Sequence, residues 1–279
     1  MFSSTTCFLF IILSILPKSR TNEAAELLNE SDYNGKKFEG FVVGGRFAKI
    51  QDFPHSAFLA INCRKQKIFE DFTCGSSILN QWILLTAAHC LEGCKSGTKV
   101  LASVGAAKKT KGTFYAVGKF ASHKKYDGDI MKNDICLVML ATPVVFGNTV
   151  KRIQLTQIGI YNEPAVLAGW GVTNEEEFID SQYLKSARQV VMTREKCMNM
   201  LPNLNKGYLC ATGDKRSLQD HGYAAVGDSG SALIVRGTIQ IGIVSYKMAA
   251  ISESLIAYTD VSKYYRWVTN TAKALFCQE

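Results

Sequence analysis

Short apolar runs recur along the chain from residue 57 onward, separated by Gly, Asn, Pro and Lys: Ala57–Asn62, Ser76–Leu79, Trp82–Thr86, Ile135–Ala141, Ala165–Ala168, Ala232–Val235 and Ile239–Tyr246. Most are four to eight residues long and rich in Val, Ile and Leu, which favours strands over helices. Pro143 and Pro164 stand at the ends of such runs, where a missing N–H does little harm. The tail departs from this pattern. Val261, Tyr264, Tyr265, Val268, Ala272 and Leu275 recur at helical spacing and predict an amphipathic helix over 261–276. The chain therefore reads as all-β, a sandwich or barrels closed by one terminal helix, with no fixed-period repeat.

The first 41 residues differ in kind. Cys7–Leu16 is a largely apolar run followed at once by Pro17, Lys18 and Arg20. It is about half the length of a membrane span and suits a signal peptide over 1–21, with cleavage between Pro17 and Ala25. Residues 22–41 are polar, carry the Asn29-Glu-Ser31 glycosylation sequon, and read as a propeptide. No later run is long enough to span a bilayer. The 279 residues are 47% apolar and 20% charged, ordinary globular proportions that exclude a disordered or fibrous chain. Nine cysteines suit an exported domain with a real core and several disulfides. Eight remain once Cys7 is removed, and eight allow 105 pairings.

Three local patterns carry candidate chemistry. Leu84-Leu-Thr-Ala-Ala-His89-Cys90 is an apolar strand running into a histidine; Asn133-Asp134-Ile135 sets an aspartate at the mouth of another; Gly227-Asp-Ser229-Gly-Ser231 is a serine in a glycine-bracketed turn. Singly, each has an ordinary structural explanation: a histidine bonded within a loop, a turn aspartate, a common loop composition. Jointly they supply a hydroxyl nucleophile, an imidazole base and a carboxylate to fix its tautomer. The order His, Asp, Ser, with Ser231 where a nucleophile elbow needs glycine, excludes the α/β-hydrolase scheme.

From Val42 to the C-terminus the chain resembles the chymotrypsin-like (trypsin-family) serine proteases. The three boxes match in order and approximate spacing, joined by Val42-Val-Gly-Gly45, Gly169-Trp-Gly171, Ser245-Tyr246 and Trp267-Val268. The resemblance implies two six-stranded antiparallel β-barrels with the site between them, in a peptidase domain spanning 42–279. The N-terminal barrel would occupy 42–153, the C-terminal barrel 154–260 and the helix 261–276. It implies Ser229 as nucleophile, His89 as general base and acid, Asp134 as orienter, and the N–H groups of Gly227 and Ser229 as an oxyanion hole. It further implies a zymogen in which a freed Val42 ammonium pairs with Asp228. Phe41 precedes the cut where the family usually has Arg or Lys, so either a chymotrypsin-like activator cuts after Phe41 or the chain is not activated in the usual way.

The S1 pocket departs from the tryptic pattern. Tyr223 stands where a tryptic enzyme has aspartate, Lys247 and Ile256 stand where pocket walls have glycine, and Tyr246 stands beside Ser245 where tryptophan is usual. The expectation is a secreted, non-tryptic serine endopeptidase with a narrowed pocket. The alternative is a serine-protease homologue with a binding or regulatory role and little turnover.

The resemblance also implies the bridges Cys74–Cys90 and Cys197–Cys210. Elimination among the remaining cysteines adds Cys63–Cys94 and Cys136–Cys277. An even cysteine count in an exported chain favours bridges over a zinc cluster at His89, Cys90 and Cys94. The acidic run Glu175–Glu177 lacks calcium-ligand spacing, so no metal and no cofactor is implied. Residues 42–279 carry 28 basic and 19 acidic groups, net +9. The clusters Lys108-Lys109-Thr-Lys111 and His123-Lys-Lys125 are solvated surface or attract anionic surfaces; without interleaved aromatics they make no nucleic-acid platform. Lys215-Arg216 is a candidate nicking site in a polar loop. Expected partners are protein or peptide substrates, an activating protease and protein inhibitors; a monomer is expected.

Overall fold

The computed structural model describes residues 45–174, 179–202, 204–214, 222–252 and 254–277. The expected signal peptide and propeptide, Val42, Glu175–Glu177 and Lys215-Arg216 lie outside the described residues. The strands run in chain order as β1 (Arg46–Phe47), β2 (Ser56–Lys65), β3 (Ile68–Ile78), β4 (Ile83–Thr86), β5 (Lys99–Val104), β6 (Thr113–Ser122), β7 (Cys136–Leu140), β8 (Gln154–Leu155), β9 (Pro164–Gly169), β10 (Val172–Asn174), β11 (Ile179–Asp180) and β12 (Lys185–Val191). Helix α1 (Arg194–Met200) follows, then β13 (Tyr208–Gly213), β14 (Ala232–Val235), β15 (Ile239–Lys247), β16 (Ile256–Asp260) and helix α2 (Val261–Cys277).

Two barrels result, as the family resemblance implies. Strands β2-β3-β4-β7-β6-β5 close the first, and β5 pairs back onto β2. The second runs β12-β13-β16-β15-β14-β9 and closes through β9 with β12. Closure removes the exposed edges that short strands would otherwise present. β4 shows why these runs form strands: Ile83, Leu84, Leu85 and Thr86 are all buried, because the strand sits between β3 and β7 with protein on both faces. The first core gathers Leu59, Ile61, Ile78, Leu85, Leu137 and their neighbours; the second gathers Leu167, Leu209, Leu233, Ile256 and Tyr258.

The tail helix packs Val261, Tyr264, Val268 and Leu275 onto the first core, so the last element of the chain seals the first barrel. Trp267 and Ala272 add partly buried contacts. Helix α1 starts at Thr193, whose side chain accepts the Lys196 N–H at 3.2 Å and satisfies one orphan donor of the first turn.

Three disulfides staple the described residues: Cys63–Cys94, Cys74–Cys90 and Cys197–Cys210. The expected Cys136–Cys277 bridge is corrected. Cys136 opens β7 opposite Thr86 and Ser122, fully buried in the first barrel, and its thiol donates to the Leu137 carbonyl at 3.5 Å. Cys277 ends α2 on the exposed side. Burial pushes the Cys136 thiol up to about 12, which makes it an inert part of the core.

His55 supplies a pH-dependent term in stability. Its ring is 3% exposed beside Phe53, and burial pushes its pKa down to about 4. The folded state holds a neutral imidazole where the unfolded chain would protonate near its ordinary value of 6.5. Stability therefore falls as pH drops from about 6.5 to about 4 and levels off below, by about 3 kcal/mol at most. Denaturant melts of the native protein and His55→Leu across this range should differ in slope, the variant being the flatter. Parallel slopes would remove His55 as the cause.

Candidate active site

The antiparallel pairing of β4 with β7 sets Thr86 opposite Cys136. His89 lies three residues beyond Thr86 and Asp134 two before Cys136, so one end of two neighbouring strands presents both. A short 3-10 turn, His89–Leu91, gives the histidine its exit from the strand. Two hydrogen bonds lock the pair: the His89 backbone N–H donates to Asp134 Oδ1 at 2.9 Å, and Nδ1 lies 2.8 Å from Oδ2. The imidazole is 22% exposed, whereas the carboxylate is fully enclosed.

A buried carboxylate needs every available donor. Ser245 supplies another, because a bulge in the β15–β16 ladder between Val244 and Tyr246 leaves it out of register. Its hydroxyl donates to Asp134 Oδ2 at 2.5 Å. Burial works against the charge, but the His89 ring and N–H and the Ser245 hydroxyl outweigh it and hold Asp134 below the ordinary carboxylate range. Thr259 of β16 donates to the Asp134 backbone carbonyl at 2.7 Å, a further tie from the second barrel.

Ser229 sits in the loop before β14. Its carbonyl accepts the Gly75 N–H of β3 at 2.7 Å, and Gly230 donates to Val244 at 2.9 Å, so the serine is docked on the strand that precedes the histidine strand. Cys90 Sγ lies 3.8 Å from the same carbonyl, which brings the disulfide next to His89 against the Ser229 backbone. Residues 225–228 form a turn closed by Asp228 N–H on the Ala225 carbonyl at 3.0 Å. Gly227 takes φ +90°, the left-handed value a type II turn requires at its third position.

Asp228, also fully buried, accepts Gly171 N–H at 2.8 Å and Ala225 N–H at 3.0 Å. It thereby ties the serine turn to the Trp170–Gly171 corner. A Cβ at Gly171 would stand 2.5 Å from this carboxylate, which explains the glycine. Val42, the expected partner of Asp228, lies outside the described residues.

The residues expected to line S1 fall into two groups: Tyr223 and Ile256 pack with the second core, whereas Tyr246 packs with Tyr208 and Cys197. Ile256 faces Lys247 across the β15–β16 ladder and is 1% exposed. Tyr223 is half-buried against the second core, with the Lys247 ammonium 5.1 Å from its ring centroid. The Tyr246 ring meets Tyr208 edge-on at 5.5 Å. Tyr208 went unnoticed in the sequence, where it is one aromatic in an apolar strand, and its hydroxyl partners lie far along the chain: Ser245 at 3.2 Å and the Met131 carbonyl. The cluster Cys74, His89 and Cys90 is no metal centre, because the two sulfurs are bonded to each other.

A family model described as Trypsin matches residues 42–268. Hypodermin-B of Hypoderma lineatum is 32% identical over 244 residues, which cover 85% of this chain and 90% of that protein. A chymotrypsin of Phaedon cochleariae is 26% identical over 233 residues, 81% of this chain and 80% of that protein. Among solved structures, the scabies mite inactivated protease paralogue S-D1 matches with a TM-score of 0.71 and 24% identity over 83% of this chain and 97% of that one. The HL collagenase structure matches with a TM-score of 0.71 and 22% identity over 85% and 99%. These two likenesses speak to the fold.

Gly230 is the steric keystone of the serine loop. It takes φ +82°, and a Cβ there would stand 2.1 Å from Thr86 Oγ1 and 2.4 Å from the Gly75 carbonyl. Gly230→Ala should cost about 3 kcal/mol or more of stability, read as a lowered thermal midpoint. An unchanged midpoint would mean the loop does not dock on β3 as described.

Proposed function

The chain belongs to the trypsin family and is a serine endopeptidase, and on that premise we propose that it hydrolyses peptide bonds through Ser229, His89 and Asp134. The observation that carries this reading is the His89 ring, held by Nδ1 on a buried carboxylate at 2.8 Å while remaining partly exposed on its other side. With Nδ1 committed to Asp134, Nε2 is the nitrogen left to take the Ser229 proton. Ser229 Oγ attacks the substrate carbonyl, the oxyanion is received by the N–H groups of Gly227 and Ser229, and His89 returns the proton to the leaving amine. Water then hydrolyses the acyl-enzyme by the reverse proton route. Asp134 stays ionised throughout and stabilises the imidazolium.

Ser229→Ala should abolish labelling by a fluorophosphonate probe and lower turnover roughly 10⁴-fold or more. Undiminished labelling of that variant would refute the assignment.

The pocket reading follows from the same side chains. Lys247 and Ile256 carry side chains where the family has glycine, and Tyr223 stands where a tryptic enzyme has aspartate, so no carboxylate is offered to a basic P1 group. The enzyme is therefore non-tryptic, with a preference for small P1 residues. A diverse peptide library should yield cleavage after small apolar residues; cleavage after Lys or Arg would overturn the pocket assignment.

The second reading, a homologue that binds rather than cleaves, is favoured by this filled pocket. The scabies mite S-D1 protein is an inactivated protease paralogue, so the fold by itself does not guarantee turnover. No cleavage of any library member by protein beginning at Val42 would select it.

Activation is proposed to expose Val42 by cleavage after Phe41, its ammonium joining the buried Asp228 carboxylate. The three disulfides support export into an oxidising compartment. Edman sequencing of the secreted active form should read Val-Val-Gly-Gly. A start elsewhere would overturn this activation route.

A further inference from the structure

Tyr208 stands on β13 at 2% exposure, packed with Cys197, Cys210, Leu255 and Ala257. A phenol in such a place needs a partner for its hydroxyl. It finds two: the carbonyl of Met131, in the loop that leads to Asp134, and the hydroxyl of Ser245 at 3.2 Å. Met131 belongs to the first barrel's β6–β7 connection, whereas Tyr208 and Ser245 belong to the second barrel.

Donor and acceptor capacity orients the chain of bonds. Ser245 has one proton and donates it to Asp134 Oδ2, so toward Tyr208 it offers only lone pairs. The one Tyr208 proton is then shared between two acceptors, the Met131 carbonyl and Ser245 Oγ, as a three-centre hydrogen bond whose longer arm is the one to Ser245. Phenol, hydroxyl, carboxylate and imidazole form one series whose donors all point toward the Asp134 charge.

The loop itself needs holding. Met131 takes φ +49°, a left-handed value its side chain disfavours, and Asn133 takes φ +57°, which asparagine tolerates. Asn133 is held by the Lys125 carbonyl, which accepts from its side chain, and by the Tyr264 hydroxyl at 3.1 Å. Met131 is held by Tyr208.

We propose that Tyr208 is a positioning residue of the catalytic cleft, bridging Met131 and Ser245 so that Ser245 keeps donating to Asp134 and the left-handed loop stays closed on the carboxylate. This rests on the protease reading for its catalytic meaning, though not for its test.

The titratable groups that feel the Asp134 charge are Tyr126, with Glu92 bonded to it, from the first barrel's loops, Cys136 from β7, Tyr208 from β13, Tyr246 from β15 and Tyr264 from α2. Burial, then the Asp134 charge, holds these phenols above their ordinary range, so each stays a protonated donor through neutral pH. Tyr126 spends its hydroxyl on Glu92 and Tyr264 on Asn133. Among the described residues Tyr208 is the phenol that reaches Ser245.

The test compares Tyr208→Phe with Tyr264→Phe, each removing one phenol hydroxyl, and reads the His89 ring titration by NMR together with kcat, KM and thermal midpoint. With Ser245 a weaker donor, the Asp134 carboxylate becomes more basic and the imidazolium more stable. Tyr208→Phe should therefore raise the His89 titration midpoint by roughly half a pH unit, and by more than Tyr264→Phe, which loosens Asn133 but leaves the Ser245 bond untouched. It should lower kcat about five-fold with little change in KM, the loss of one neutral hydrogen bond. In a Ser245→Ala background the same change should have no further effect on the titration. An unmoved His89 titration in Tyr208→Phe, an equal shift in Tyr264→Phe, or full additivity with Ser245→Ala would overturn the proposal. Absence of turnover in the native protein would count against the protease reading alone, since the NMR comparison still decides the role of Tyr208.

Discussion

A single enclosed negative charge organises this molecule. Asp134 has no contact with solvent, and an uncompensated carboxylate in such a place would be protonated or would unfold its surroundings. What keeps it ionised comes from both halves of the chain: the His89 ring and N–H from the first barrel, the Ser245 hydroxyl from the second. Separating the barrels would strip the charge of a donor. Barrel docking and the geometry of the histidine are thus one constraint, and Thr259 on the Asp134 carbonyl reinforces it from the same side as Ser245.

The serine arrives by backbone chemistry instead. Gly75 carries both connections, donating to Ser229 and accepting from the Thr86 hydroxyl at 2.8 Å on the strand that leads to His89. Neither contact leaves room for a side chain, since a Cβ on Gly75 would stand 1.9 Å from Ser231 Oγ. Asp228 plays the matching part on the other flank, where two N–H groups satisfy its carboxylate and hold the turn that carries Gly227. The cleft is therefore built from glycine contacts around the serine and side-chain contacts around the aspartate.

Much of this was legible in the chain. Strand-length apolar runs bounded by turn residues announce barrels, and Val261, Tyr264, Val268 and Leu275 at helical spacing announce the tail helix. The pairing of His89 with Asp134 was legible because each sits in a local signature with a chemical reason, and Ser229 is proposed as nucleophile on the same ground. What escaped was non-local. Ser245 was expected only as a pocket wall, and nothing in its neighbourhood foretells that a bulge aims its hydroxyl at Asp134. Tyr208 lies 77 positions from Met131, so no local pattern links them. The Cys136–Cys277 expectation failed because elimination treats every cysteine as oxidised, whereas a thiol on an inward-facing strand position serves as a small apolar side chain.

The same β15–β16 ladder shapes both the proposed chemistry and the proposed selectivity. The bulge that frees Ser245 restarts the register at Tyr246 opposite Ala257 and sets Lys247 opposite Ile256. Because side chains alternate along a strand, that restart determines which residues turn toward the core and which toward Tyr223. Had the ladder run without the bulge, Ser245 would be paired and its hydroxyl drawn away from Asp134, and Lys247 would no longer stand over the Tyr223 ring. One irregularity in one strand thus sets both the donor that reaches the carboxylate and the register of the residues proposed to narrow the pocket.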